Sequence, residues 1–144
     1  LLDITDEAWR QAFEINVTGA FVLTRAAGRR MVAQGGGRII HLTGSGAREV
    51  GVVNTLTGAS KAALERFVRG AALELKPHGV AVNLFDPGGV KTERAVVLRR
   101  GEFDWSRFAT PEQVAPAAVH LALRNAADMT GEIYSYQDYA EGRR

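Results

Sequence analysis

Apolar positions in the first part of the chain recur at spacings of three and four. Trp9, Phe13, Val17, Ala20, Phe21 and Thr24 fall on one face of a helix. Thr5 ahead of Asp6 and Glu7 reads as an N-cap with acids in the first turn. The spacing predicts a helix from residue 6 to 31–34, ended by the glycines at 35–37. The period then changes. "RIIHLT", residues 38–43, is a short β-rich run of buried-strand type, and 44–54 read as a glycine-containing loop. Helical spacing returns over 57–76, with Leu64, Phe67, Val68, Ala71 and Leu75 on one face. Lys61–Glu65 and Glu65–Arg69 read as i,i+4 pairs on its exposed side. "PHG" at 77–79 stops that helix, "VAVNLF" at 80–85 is a second strand, and "DPGG" breaks it. Residues 93–109 read as irregular, rich in Arg, with Phe103, Trp105 and Phe108. Thr110, Pro111 and Glu112 open a helix to Arg124, and 132–137 form a last strand.

Helices alternating with strands in this order predict parallel strands joined by crossover helices, an α/β layer architecture in a single domain. Three strands make a narrow sheet. The first would leave an open apolar edge unless it has a further neighbour. That edge, and the absence of an initiator Met, lead us to expect more sequence before Leu1.

Composition narrows the function classes. The chain has 144 residues, 46% hydrophobic and 24% charged, ordinary for a globular domain. Its 18 basic and 16 acidic residues are interleaved and leave a net charge of +2, so no nucleic-acid partner is expected. There are no cysteines, which removes disulfides and thiolate chemistry. No apolar run reaches the roughly 20 residues of a membrane span, and the N-terminus has no signal-peptide pattern. No membrane association is expected, and the expected location is cytoplasmic. His41, His78 and His120 are isolated, without metal-ligand spacing, so no metal site is expected. Ser45 lacks the glycine surroundings of a nucleophile elbow, because Thr43 and Ala47 hold the outer positions.

The most suggestive chemistry lies in "TLTGASK", residues 55–61, where Lys61 follows Thr57 by four in a small-residue turn opening a helix. The stretches "AFEINVTGAF", "GGRIIHLTGS", "TGASKAAL", "VAVNLFDPGGVKT" and "TPEQVA" followed by "DMTGEI" then occur in a telling order. With these, nearly the whole chain resembles the C-terminal half of a short-chain dehydrogenase/reductase. The resemblance implies a Rossmann-type doubly wound parallel sheet, present here as its last three strands with long crossover helices. It implies NAD or NADP as cofactor and a small carbonyl or alcohol substrate. "TGSGAREVG", 43–51, only imitates the glycine-rich dinucleotide turn, since Arg48 and Val50 stand where that motif needs glycine. Without that turn, tight dinucleotide binding is not expected from these residues alone.

The resemblance also assigns residues. Asn16 falls at the family's Asn position in the first long helix. Lys61 falls at the Lys position, which contacts the nicotinamide ribose and lowers the neighbouring acid's pKa by its charge. Pro87 and Gly88 match the family's Pro-Gly turn, with the backbone of Val90 and the hydroxyl of Thr92 placed to read the carboxamide or a phosphate. Two positions depart. Thr57 stands where the proton-donating Tyr belongs, and Gly44 where the substrate-holding Ser belongs. A phenol of pKa near 10 can be tuned toward neutrality by a cation, and an alkyl hydroxyl cannot be tuned that far. The pattern therefore predicts an impaired oxidoreductase. A non-catalytic partner or binding subunit, and a mis-bounded piece with no function of its own, stay open beside it. The segment 93–109 lies where the family covers its substrate. Helices 6–34 and 57–76, with Gly19, Ala20, Ala59, Ala62, Ala63 and Gly70, resemble those of the family's dimer interface, so a homo-oligomer is expected.

Overall fold

The computed structural model describes residues 1–51, 55–99, 103–124 and 129–143. Parts of the expected 44–54 loop, of the 93–109 segment and of "DMTGEI" lie outside the described residues. Helix α1 is Asp6–Phe13, α2 is Gly19–Ala33, α3 is Thr55–Leu75, α4 is Glu93–Leu98, α5 is Pro111–Leu123 and α6 is Tyr136–Ala140. Strands β1, Gly37–Leu42, β2, Val80–Asp86, and β3, Ile133–Ser135, form one parallel sheet in the order β1-β2-β3. Ile39 lies opposite Val82, and Phe85 opposite Tyr134. Among the described residues the outer edge of β1 has no strand beside it.

Alternation along the strands builds two cores. Ile39, Val82, Leu84 and Ile133 turn toward α2 and α3, where they meet Ala20, Leu64, Val68 and Ala72. Ile40, Phe85 and Tyr134 turn to the other face and meet Val114, Ala117 and Leu121 of α5. β2 is buried along its full length. Each fully buried aliphatic side chain in it contributes about 1.5–3 kcal/mol. Within β2 the buried Asn83 is satisfied on both sides, donating to Met129 O and accepting from Glu132 N–H, and so fixes the approach to β3.

Several expectations are corrected. The first long helix is not one α-helix: a π turn over Glu14–Thr18 separates α1 from α2, with Gly19 N–H bonded to Glu14 O. The inserted residue slips the 3.6-residue frame. As a result Ala20, Thr24 and Gly28 form the buried stripe, while Trp9 and Phe21 stay 40% and 43% exposed. Residues 93–98, expected to be irregular, form α4, because Thr92 Oγ1 accepts from Ala95 N–H and caps it. The last strand is only Ile133–Ser135, because the Ser135 hydroxyl accepts from Asp138 N–H and starts α6. Glu65 is not on an exposed face. It is 5% exposed and bonded to Thr43 and Arg48 rather than paired with Lys61 or Arg69.

Candidate functional site

Most of the expected site residues gather at the carboxyl ends of β1 and β2, where doubly wound sheets bind ligands. α3 presents Thr57 and Lys61 one turn apart. Lys61 Nζ donates to Leu42 O at 2.7 Å, the last carbonyl of β1 and two residues before Gly44. Burial holds its ammonium below the ordinary lysine pKa. His41, on the same strand, lies 2.7 Å from Thr24 Oγ1 through Nε2. Its pKa is lowered first by burial and then by the charge of Lys61.

Asn16 sits in the middle of the π turn. Its Nδ2 donates to Ser60 Oγ at 3.0 Å, and Ser60 Oγ donates in turn to Thr57 O. This chain joins the first helical arm to α3 beside Lys61. Thr57 itself is exposed. Gly44 is extended, φ −174°, and a Cβ there would meet nothing within 4 Å. The empty Ser position is therefore roomy. Ser45 is exposed and opens a 3-10 turn to Ala47. Thr43, on its other side, is buried and spends its hydroxyl on Glu65. Neither flanking hydroxyl is turned into Gly44's place by a bond that the structure shows.

The second wall follows β2. Gly88 is left-handed, φ 68°, and its N–H is held by Asp86 Oδ1 at 2.9 Å, which folds the Pro87-Gly88 turn. Val90 pairs with Ala109, and Gly89 O and Lys91 N–H bond to Ala109. These bonds fasten the aromatic segment to the turn. There Phe103, Trp105 and Phe108 meet edge to face at 4.8–5.3 Å. The Thr92 hydroxyl serves as the α4 cap, which leaves its O–H free to donate. No direct bond joins Thr92 or Val90 to Lys61 among the described residues.

The two walls are linked by Arg48, Glu65 and Asp86, which their places in the sequence do not bring together. Arg48 bonds Glu65 of α3 through Nη1 and Asp86 at the end of β2 through Nη2. A signal was available: Glu65 lies in the apolar stripe with Val68 and Ala72, and Asp86 is the one charged residue of a strand buried along its full length. A charge in such a place calls for a buried partner.

Comparison with known proteins gives the family and the fold. The model of the family described as Enoyl-(Acyl carrier protein) reductase matches residues 1–137. Galactitol 2-dehydrogenase (L-tagatose-forming) of Cereibacter sphaeroides is 37% identical over 146 residues, covering 92% of this chain and 56% of that protein. A 3-oxoacyl-[acyl-carrier-protein] reductase of Aquifex aeolicus is 33% identical over 134 residues, covering 87% and 53%. The solved structure of a 7α-hydroxysteroid dehydrogenase with NADH and 7-oxo glycochenodeoxycholic acid superposes with a TM-score of 0.84 at 28% identity, covering 92% and 55%. The chain belongs to the short-chain dehydrogenase/reductase family. Its three strands and helices are the C-terminal half of that family's doubly wound Rossmann sheet, and it spans about half the length of the curated relatives it matches. No described helix is long and apolar enough to cross a membrane. Among the described residues there is no group of three or more His, Cys, Asp or Glu placed to hold a metal ion.

Proposed function

We propose that the protein is an NAD(P)-linked oxidoreductase acting on a small carbonyl or alcohol, with its proton-transfer step impaired. The observation that carries this reading is the bond from Lys61 Nζ to Leu42 O. Lys61 uses one N–H on a main-chain carbonyl and keeps two for the hydroxyls of a ribose. The Gly88 turn is open on the side where a Cβ would lie, and Thr92 retains a donor, so the residues present fit a nicotinamide nucleotide. In this reading Lys61 holds the ribose, while Pro87, Gly88, Val90 and Thr92 orient the carboxamide. Asn16 steadies α3 through Ser60. The nucleotide, when bound, supplies or accepts the hydride.

The proton at the substrate oxygen is the weak step. Thr57 Oγ is a poor acid and lies a ring's length short of where a Tyr hydroxyl would reach. Gly44 offers no hydroxyl to that oxygen. The helical faces of α2 and α3 would meet a second copy, making a homo-oligomer, and the location proposed is cytoplasmic. The test is NADH and NADPH oxidation with a panel of ketones and aldehydes. Low turnover abolished by Lys61→Ala supports the reading, and turnover unchanged by Lys61→Ala overturns it.

A further inference from the structure

We infer that Arg48 is a positioning residue that sets the separation of the two walls of the site without touching either reactant. It stands at the end of the 3-10 turn that starts at Ser45, its N–H bonded to Ser45 O at 2.8 Å, directly after Gly44. Its guanidinium reaches two elements at once. Nη1 bonds Glu65 Oε1, one helical turn beyond Lys61 on α3. Nη2 bonds Asp86 Oδ2, the residue before Pro87. Each carboxylate passes the contact on. Glu65 Oε1 also accepts from the Thr43 hydroxyl at 2.7 Å. Asp86 Oδ1 holds Gly88 N–H. One cation thus closes two chains of bonds, one running through Glu65 to Thr43, the other through Asp86 to the Pro-Gly turn.

The chemistry makes this an arginine's task. Glu65 and Asp86 are each 5% exposed, and an enclosed carboxylate deprived of its cation is strongly destabilising. Both therefore hold the guanidinium in place. A planar fork with five donors can serve two carboxylates on different elements, and an ammonium on a flexible stem cannot match that geometry. A link of this kind carries position from the Gly88 turn to the strand end at Gly44. The functional meaning rests on the reading of residues 44–48 and 86–92 as walls of one site. The linkage itself does not, and its test reads amide exchange rather than turnover.

Hydrogen exchange is measured by mass spectrometry on the chain and on Arg48→Met, Arg48→Lys, Asp86→Asn and Glu65→Gln. Arg48→Met should raise exchange at least about tenfold in the peptides spanning 43–49 and 86–92 together, as loss of hydrogen bonds to charged groups does. Exchange in α5 should not change. Arg48→Lys should restore protection in one of the two peptides and not the other. Asp86→Asn keeps the acceptor for Gly88 N–H and weakens only the guanidinium contact, so it should loosen 86–92 alone. Glu65→Gln should loosen 43–49 alone. The inference is overturned if Arg48→Met leaves either peptide as protected as before, or loosens α5 to the same extent. It is overturned equally if Asp86→Asn leaves 86–92 unchanged. If Arg48→Met fails to fold, the Asp86→Asn and Glu65→Gln results decide alone.

Discussion

Asn16 Nδ2 donates to Ser60 Oγ at 3.0 Å, across 44 positions of sequence, and so ties the π turn to the helix that carries Lys61. Asn16→Ala removes this bond and leaves the buried Ser60 hydroxyl only its bond to Thr57 O. We expect a loss of about 1 kcal/mol, the usual net worth of one such hydrogen bond. Urea unfolding followed by circular dichroism measures it. Asn16→Asp has no N–H to give to Ser60 Oγ, whose own proton is on Thr57 O, so it should lose at least as much.

His41 gives the fold a pH dependence whose sign is fixed. Its folded pKa lies below the ordinary 6.5, through burial first and the charge of Lys61 second. The unfolded chain therefore takes up the proton first as pH falls. This contribution to stability is complete above about pH 6.5 and is lost as pH drops from there toward the folded value. Thermal melts from about pH 8 to about pH 5 should show a falling midpoint, with a shallower fall in His41→Gln. Parallel curves for the two proteins would remove His41 from the account.

Restoring the two missing hydroxyls should restore the acid. Gly44 is extended and has open space where a Cβ would lie, so Gly44→Ser carries no backbone strain. Thr57 is exposed on α3, where a ring can be accommodated. The double variant Gly44→Ser/Thr57→Tyr should raise NAD(P)H-dependent carbonyl reduction by at least about a hundredfold, within the range of general acid catalysis. The single variants should gain far less. Equal turnover in the double variant and the unaltered chain would count against the placement of both residues.

A shallow groove on α3, lined by Ala63, Arg66, Phe67, Gly70, Ala71 and Glu74, is the surface we propose for a second copy. Gly70→Arg places a long charged chain in it. Light scattering behind size-exclusion chromatography should show an oligomer for the unaltered chain and a monomer for the variant. A chain that is already monomeric at micromolar concentration would refute the homo-oligomer.

Much of the sheet could be read from the sequence because its strands are short apolar runs flanked by Gly and Pro. "VAVNLF" is buried on both faces, so its pattern is continuous and its limits differ from β2 by one residue. The helices were legible wherever one frame held. Across Glu14–Thr18 it did not, because a π turn leaves no periodic mark beyond a slip in phase. The charge network is hidden from the sequence for another reason. Spacing along a helix predicts neighbours on that helix, and so pairs Glu65 with Lys61 and Arg69. Its actual partner, Arg48, comes from a loop 17 residues away. Asp86 and Gly88 show the same limit: their bond is local, while the cation holding Asp86 is 38 residues distant. The α4 and α6 helices leave little trace in the sequence because their caps, Thr92 and Ser135, are single hydroxyls that suit a loop as well.

The π turn also decides how the helical arm tolerates a change of length. It contains one residue more than an α turn, so removing any one of Glu14–Thr18 would leave α1 and α2 in phase as a continuous helix. Thr24 would keep its place against His41, and Gly28 its place against Leu75. A deletion within α2 itself has no such slack: losing Val22 would swing everything after it by about 100° and carry Thr24 off the sheet. The surplus residue that interrupts the ladder at Asn16 is thus the one this arm can give up without disturbing the core, and the deletion would take with it the bulge that sets Asn16 against Ser60.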